Sequence, residues 1–177
     1  YKTYMFRFKI LVFLVISILF SSCSKDVSKK SIIKEKSLES QVKEAYNEGM
    51  DALEGGDVLY AAKKFNEAEI LFPQANSAPK SAIMAAYSYY TQDYYGDAIA
   101  ELQRFLKVYP SHKDLAYVYY LLAVCYYEQI VDEKKDLQSI VKAKENFNII
   151  LKDYSNTEYA IDAEFKLDLI DDVLAAK

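Results

Sequence analysis

Histidine occurs once in these 177 residues, cysteine twice, proline three times and glycine four times. One His and no cysteine pair at ligand spacing leave no zinc-type metal centre to build. A Gly-rich phosphate loop and a G-x-S-x-G elbow are absent, so nucleotide binding and hydrolase chemistry of those kinds are excluded. Two cysteines permit one disulfide at most, which rules out a disulfide scaffold. With so few Pro and Gly beside abundant Ala, Leu, Lys and Glu, the chain reads as helical. Excess positive charge is missing too. The formal charge is −4, and setting aside residues 1–22, which hold Lys2, Arg7 and Lys9 and no acid, takes it to −7, so there is no nucleic-acid footprint. No cofactor or metal is expected, and no enzymatic activity.

An apolar run long enough to span a bilayer is lacking, and the N-terminal run reads as a targeting segment. Ile10 to Phe20 is broken only by Ser17 and follows Lys2, Arg7 and Lys9, the charged-then-apolar order of a secretory signal. As a helix it would span roughly 16 Å, about half of a ~30 Å hydrocarbon core, so it targets rather than spans. Leu19-Phe20-Ser21-Ser22-Cys23 then resembles a bacterial lipobox, with Phe20 where an aliphatic residue is usual. Such a cysteine becomes the lipidated first residue of the mature chain. Two or three acyl chains on Cys23, at about 0.8 kcal/mol per buried methylene, exceed what stable anchoring requires. Ser24 resembles an outer-membrane sorting residue. Because the sequence opens on Tyr1 while Met5 begins a signal of its own, residues 1–4 are expected to lie upstream of the true start.

The expected organisation is a signal peptide over 1–22, a Ser/Lys-rich flexible tether over 23–40, and a folded domain over 41–177. Within that domain three stretches share one layout: Ala61/Phe65/Pro73, Ala98/Leu102/Pro110 and Ala143/Phe147/Ser155. Each has an upstream helical stretch centred on a small residue, Gly49, Ala86 or Ala123. Small residues let two helices approach, the apolar residue four positions on fills the gap, and proline stops the second helix. Gly55-Gly56-Asp57 and Asp93 to Asp97 are the expected turns inside the hairpins. The units begin 37 and then 45 residues apart, which places an insertion near residues 128–140. The fold class is therefore all-α, a tetratricopeptide-like solenoid of helix hairpins: about three repeats, then the first helix of a fourth at 157–175. A solenoid needs a polar terminal cap. The chain stops instead after that first helix, so the sequence is expected to be C-terminally truncated.

The lipobox, the block Arg104 to Tyr120 with His112 after Pro110, and the extended third unit with Lys135-Asp136 together resemble the BamD family, lipoproteins of the outer-membrane β-barrel assembly machinery. The resemblance covers nearly the whole chain and implies a scaffold at the periplasmic face of the outer membrane. Its implied partners are a BamA-type barrel subunit, accessory lipoproteins and the C-terminal segments of unfolded outer-membrane proteins. A periplasmic repeat adaptor of the Tol-Pal/cell-division type is the competing reading. That type favours a cleaved signal without a lipid and an N-terminal coiled coil.

Residue types fill in the rest. Cys125 reads as a small buried apolar residue, His112 as a capping or surface residue and Asp171-Asp172 as a solvated face. Tyrosine is abundant, 17 of 177 residues. Tyr89 and Tyr126, three after the small residues, are expected in the core. Tyr46, Met50, Ile83, Tyr87, Tyr90, Tyr117, Tyr120 and Tyr127 fall on the face that such repeats turn to a groove. They either pack between repeats or line a groove for extended peptide, for which tyrosine supplies area at low entropic cost.

Overall fold

The computed structural model describes residues 36–129 and 137–175. The signal, Cys23, most of the proposed tether, Lys135-Asp136 and the centre of the insertion lie outside them. The described residues form seven helices: α1 (Leu38–Glu54), α2 (Val58–Leu71), α3 (Ala78–Tyr90), α4 (Tyr95–Val108), α5 (Leu115–Glu128), α6 (Leu137–Asp153) and α7 (Glu158–Ala175). Each packs chiefly on the next in sequence. Such nearest-neighbour contact is the hallmark of a stacked repeat.

The expected register is the one observed. Ala61, Phe65, Ala98, Leu102, Ala143 and Phe147 have no solvent exposure. At Gly49 the approach is close, since a Cβ there would sit 2.9 Å from the Phe65 ring. Ala86 and Ala123, at the matching sites of α3 and α5, are buried as well. A second stripe runs i, i+4, i+7 along the later first helices: Ser81, Ala85 and Ser88 on α3, Val118, Leu122 and Cys125 on α5, Ala163, Leu167 and Ile170 on α7. All nine are buried, and the seven apolar ones cluster with side chains of the preceding unit. The hydroxyls of Ser81 and Ser88 are satisfied by donating to the carbonyls of Ser77 and Met84.

Helix ends follow local chemistry. Ser37 caps α1, its hydroxyl accepting from the Ser40 N–H at 3.3 Å. The first described helix therefore starts at Leu38, three residues before the expected Gln41. Leu38 is 43% exposed, so the first turn carries no apolar signal that a pattern search would register. Gly56, at φ +81°, turns the chain into α2, which Asp57 caps. In the second unit the left-handed residue is Asp93 (φ 62°), while Tyr95, Gly96 and Asp97 already belong to α4, so the turn is residues 91–94 rather than 93–97. Helices α2, α4 and α6 stop two residues before Pro73, Pro110 and Ser155. Proline disfavours helical backbone at the residue before it. At Ser155 no proline does so, and Thr157 instead donates from its hydroxyl (2.7 Å) and its N–H (3.1 Å) to the Tyr154 carbonyl. Phe72, Tyr109 and Tyr154 at these three ends all pack on the core. The longer period of the third unit is partly placed. Helix α6 begins six residues before Ala143, whereas α2 and α4 begin three before Ala61 and Ala98.

Candidate functional site

The aromatic face of the first helices is built from rings seated on this core. On α3, Tyr87 and Tyr90 lie one turn apart with ring centroids separated by 6.2 Å, and Tyr90 also meets Tyr95 of α4 at 6.2 Å. On α5, Tyr117 and Tyr120 lie 5.7 and 5.1 Å from Tyr159 of α7, the second pair stacked. Tyr120 donates its hydroxyl to Asp162 at 2.8 Å. Burial, followed by the neighbouring Tyr87 and Tyr159 hydroxyls, pushes the Tyr117 phenol well above its usual range. Burial and the bond to Asp162 do the same at Tyr120, and burial raises Tyr90. These phenols stay protonated at neutral pH, and Tyr120 already commits its single donor to Asp162.

The eight groove candidates divide among four settings. Tyr87, Tyr90, Tyr117 and Tyr120 form one run across α3 and α5. Tyr46 and Met50 of α1 pack over the first hairpin, Tyr46 edge-on to Phe65 at 5.2 Å. Tyr127 rests edge-on to Phe147 with the Lys166 ammonium 4.7 Å above its ring. Ile83, 8% exposed, lies in the core cluster beneath the tyrosines. Tyr89 and Tyr126, expected in the core, are only partly buried: they pack on its edge, and the Tyr126 hydroxyl accepts from Gln103 at 2.9 Å. Elsewhere His112 holds a turn, its Nδ1 accepting the Asp114 N–H at 3.3 Å. Cys125 has no exposure, and burial pushes its thiol up to about 12.

Two features were not read from the sequence. The first is a polar clamp between α2 and α4. Arg104 grips Glu69 through both guanidinium nitrogens (2.9 and 2.6 Å), its Nε donates to Glu101 at 2.9 Å, and Tyr109 donates to Glu69 at 2.7 Å. Asn66 closes the ring on Glu101 at 3.0 Å. Glu69 is 4% exposed, so this cross-repeat bond is made largely out of water. The second is a cleft of about 540 Å³ between α1 and the α2–α3 connection, which includes Tyr46, Phe72, Lys43 and Lys80 in its walls. The Lys80 ammonium stands 5.4 Å from the Tyr46 ring. Among the described residues, no group of three His, Cys, Asp or Glu is placed to hold a metal ion, and no helix is long and apolar enough to cross a membrane.

Helix hairpins in register, close-packed at Gly49, Ala86 and Ala123, define a protein of the tetratricopeptide-solenoid class. The C-terminal TPR-containing domain of a Plasmodium falciparum FK506-binding protein is similar in fold, with a TM-score of 0.54 and 18% identity over 80% of this chain and 95% of that one. By sequence the chain belongs to the YfiO family, described as outer membrane lipoprotein, which it matches over residues 38–177. Relatives called outer membrane protein assembly factor BamD include those of Caulobacter vibrioides, 34% identical over 89% of this chain and 50% of the relative, and of Rickettsia prowazekii, 31% identical over 93% and 63%. The Neisseria gonorrhoeae protein of that name is 25% identical over 75% of this chain and 54% of its own length. The chain thus spans about half to under two thirds of these relatives.

Proposed function

We propose that this chain is the repeat scaffold of an outer-membrane protein assembly factor, held at the periplasmic face of the outer membrane by acyl chains on Cys23. The observation that carries this reading is the match of residues 38–177, which take in all the described helices, to a family of outer membrane lipoproteins whose relatives bear the assembly-factor name. The stretch Leu19 to Cys23 supports the anchor. The scaffold docks on a BamA-type barrel subunit and accessory lipoproteins. It receives unfolded outer-membrane proteins by their C-terminal segments, for which the protonated tyrosines of α3 and α5 offer ring area and hydroxyl donors. Its work is binding and positioning, not bond chemistry.

Depleting the protein in its own cells is expected to lower the level of folded β-barrel proteins in the outer membrane while leaving inner-membrane proteins unchanged. A palmitate analogue is expected to label the wild type and not Cys23→Ala. Unaltered barrel levels would refute the assembly role, and equal labelling would refute the anchor.

A further inference from the structure

Two of the groove tyrosines already carry a lysine of the protein itself. Between the first two units, the Lys80 ammonium of α3 stands 5.4 Å from the centre of the Tyr46 ring. Between the last two, Lys166 of α7 lies 4.7 Å above Tyr127 and 3.9 Å from the Asp162 carboxylate. A tyrosine ring draws an ammonium through its quadrupole, and a carboxylate alongside adds to the hold. The contact between α3 and α5 has the rings without the cation. Tyr90, four residues after Ala86, answers to Tyr127, four after Ala123. When the stripes facing the preceding unit are aligned, the places of Lys80 and Lys166 fall on α5 to Tyr117 and to the buried Leu121.

The surroundings of Tyr90 are negative. Its ring lies 6.2 Å from those of Tyr87 and Tyr95, and all three are half-buried. Asp93 accepts the Tyr95 hydroxyl at 2.7 Å. Glu128, the half-buried last residue of α5, is a near neighbour: burial, and next the charge of Glu128, raise the Tyr90 phenol. Helix α3 ends at Tyr90 and α5 at Glu128, and neither has a basic residue in its last turn, so two negative helix ends add to two carboxylates. Among the described residues, no Lys, Arg or His is ion-paired with Asp93 or Glu128.

We propose that the surface of Tyr87, Tyr90 and Tyr95 takes the side chain of a lysine or arginine from a bound extended segment, its cation over the Tyr90 ring and within reach of Asp93 and Glu128. The inference rests on the reading that this face receives extended protein segments, and it specifies the charge of one residue they carry. Charge complementarity selects the occupant. An acidic side chain would be repelled there, and a neutral one would leave both carboxylates without a counter-charge. Lys80 and Lys166 fill the corresponding need in the two flanking contacts.

The test uses a labelled barrel-protein C-terminal peptide freed of Lys and Arg, into which one lysine is placed at successive positions. Each peptide has a norleucine twin that keeps the side-chain length and loses the charge. Binding to the purified protein is read by fluorescence polarisation. At one position lysine is expected to bind about tenfold tighter than norleucine. Glu128→Gln and Tyr90→Leu are each expected to cut that preference to about threefold or less, in variants still helical by circular dichroism. Tyr90→Phe keeps the ring and should retain it. Glu164→Gln, which removes an exposed carboxylate from α7, should leave it unchanged. Peptides that bind with no position favouring lysine, or a preference that Glu128→Gln and Glu164→Gln alter equally, would overturn the subsite and leave the peptide reading standing. If no peptide binds at all, that reading falls and the subsite with it.

Discussion

At the scale of the residue, glycine positions separate contact from conformation. Gly49 and Gly96 both lie in helices, yet a Cβ at Gly49 would meet the fully buried Phe65 ring at 2.9 Å, while one at Gly96 would meet nothing within 4 Å. The Phe65 ring is held edge-on by Tyr46 and has no room to yield. Gly49→Ala is therefore expected to destabilise by about 1–3 kcal/mol, as overpacking does. Gly96→Ala is expected to stabilise by up to about 1 kcal/mol, because alanine loses less backbone freedom in a helix. Urea unfolding followed by circular dichroism separates the two, and a loss of stability at Gly96 would show that the α4 start is misplaced. The small residues of the second helices, Ala61, Ala98 and Ala143, were legible because a large apolar residue follows each of them four positions on. The residue that turns the second hairpin was not. Asp93 takes the left-handed conformation that composition suggests for Gly96, and a carboxylate that accepts from the Tyr95 hydroxyl at 2.7 Å helps hold it there.

At the scale of the element, the units are joined by polar contacts as well as apolar ones. Gln92, in the turn of the second hairpin, donates to the Gly56 carbonyl in the turn of the first at 2.8 Å. The Arg104–Glu69 clamp ties α4 to α2. Neither was legible, because partners about 35 residues apart share no local pattern and a glutamate on a helix reads by default as solvent-facing. Removing Arg104 alone leaves the Glu69 carboxylate, 4% exposed, held by Tyr109 only. Because the Arg104 side chain is itself 39% exposed, water screens part of the loss. Arg104→Met is expected to cost about 2–3 kcal/mol, less than the 3–5 typical of a fully buried pair. The double variant Glu69→Met/Arg104→Met removes both charges and is expected to lie within about 1 kcal/mol of wild type. Thermal unfolding of the three proteins tests this, and a double variant as unstable as the single would mean that the clamp is a net contributor rather than a set of mutually compensated charges.

At the scale of the whole molecule, sequence pattern reaches the stack of hairpins but not the division of labour among its tyrosines. The same residue type that packs between units also faces outward, and only the fold separates Tyr117 and Tyr120, stacked against Tyr159, from Tyr87, whose recorded ring contact is with Tyr90 on its own helix. Tyr87 is thus the candidate whose ring a peptide could meet with least rearrangement of the stack. Lys107, exposed on α4 and outside the aromatic run, serves as a control. If an unfolded barrel protein lays its aromatic-ended C-terminal segment over α3 and α5, Tyr87→Ala removes a central anchor and is expected to weaken binding by about 2 kcal/mol, roughly 30-fold, while Lys107→Ala changes little. Tyr117→Ala is expected to act through stability instead, because it uncovers Tyr159. Fluorescence polarisation with a labelled barrel-protein C-terminal peptide, beside urea unfolding of each variant, separates the two effects. A folded Tyr87→Ala that binds with wild-type affinity would return all four tyrosines of α3 and α5 to packing between repeats and move the search for the peptide site to the cleft at Tyr46.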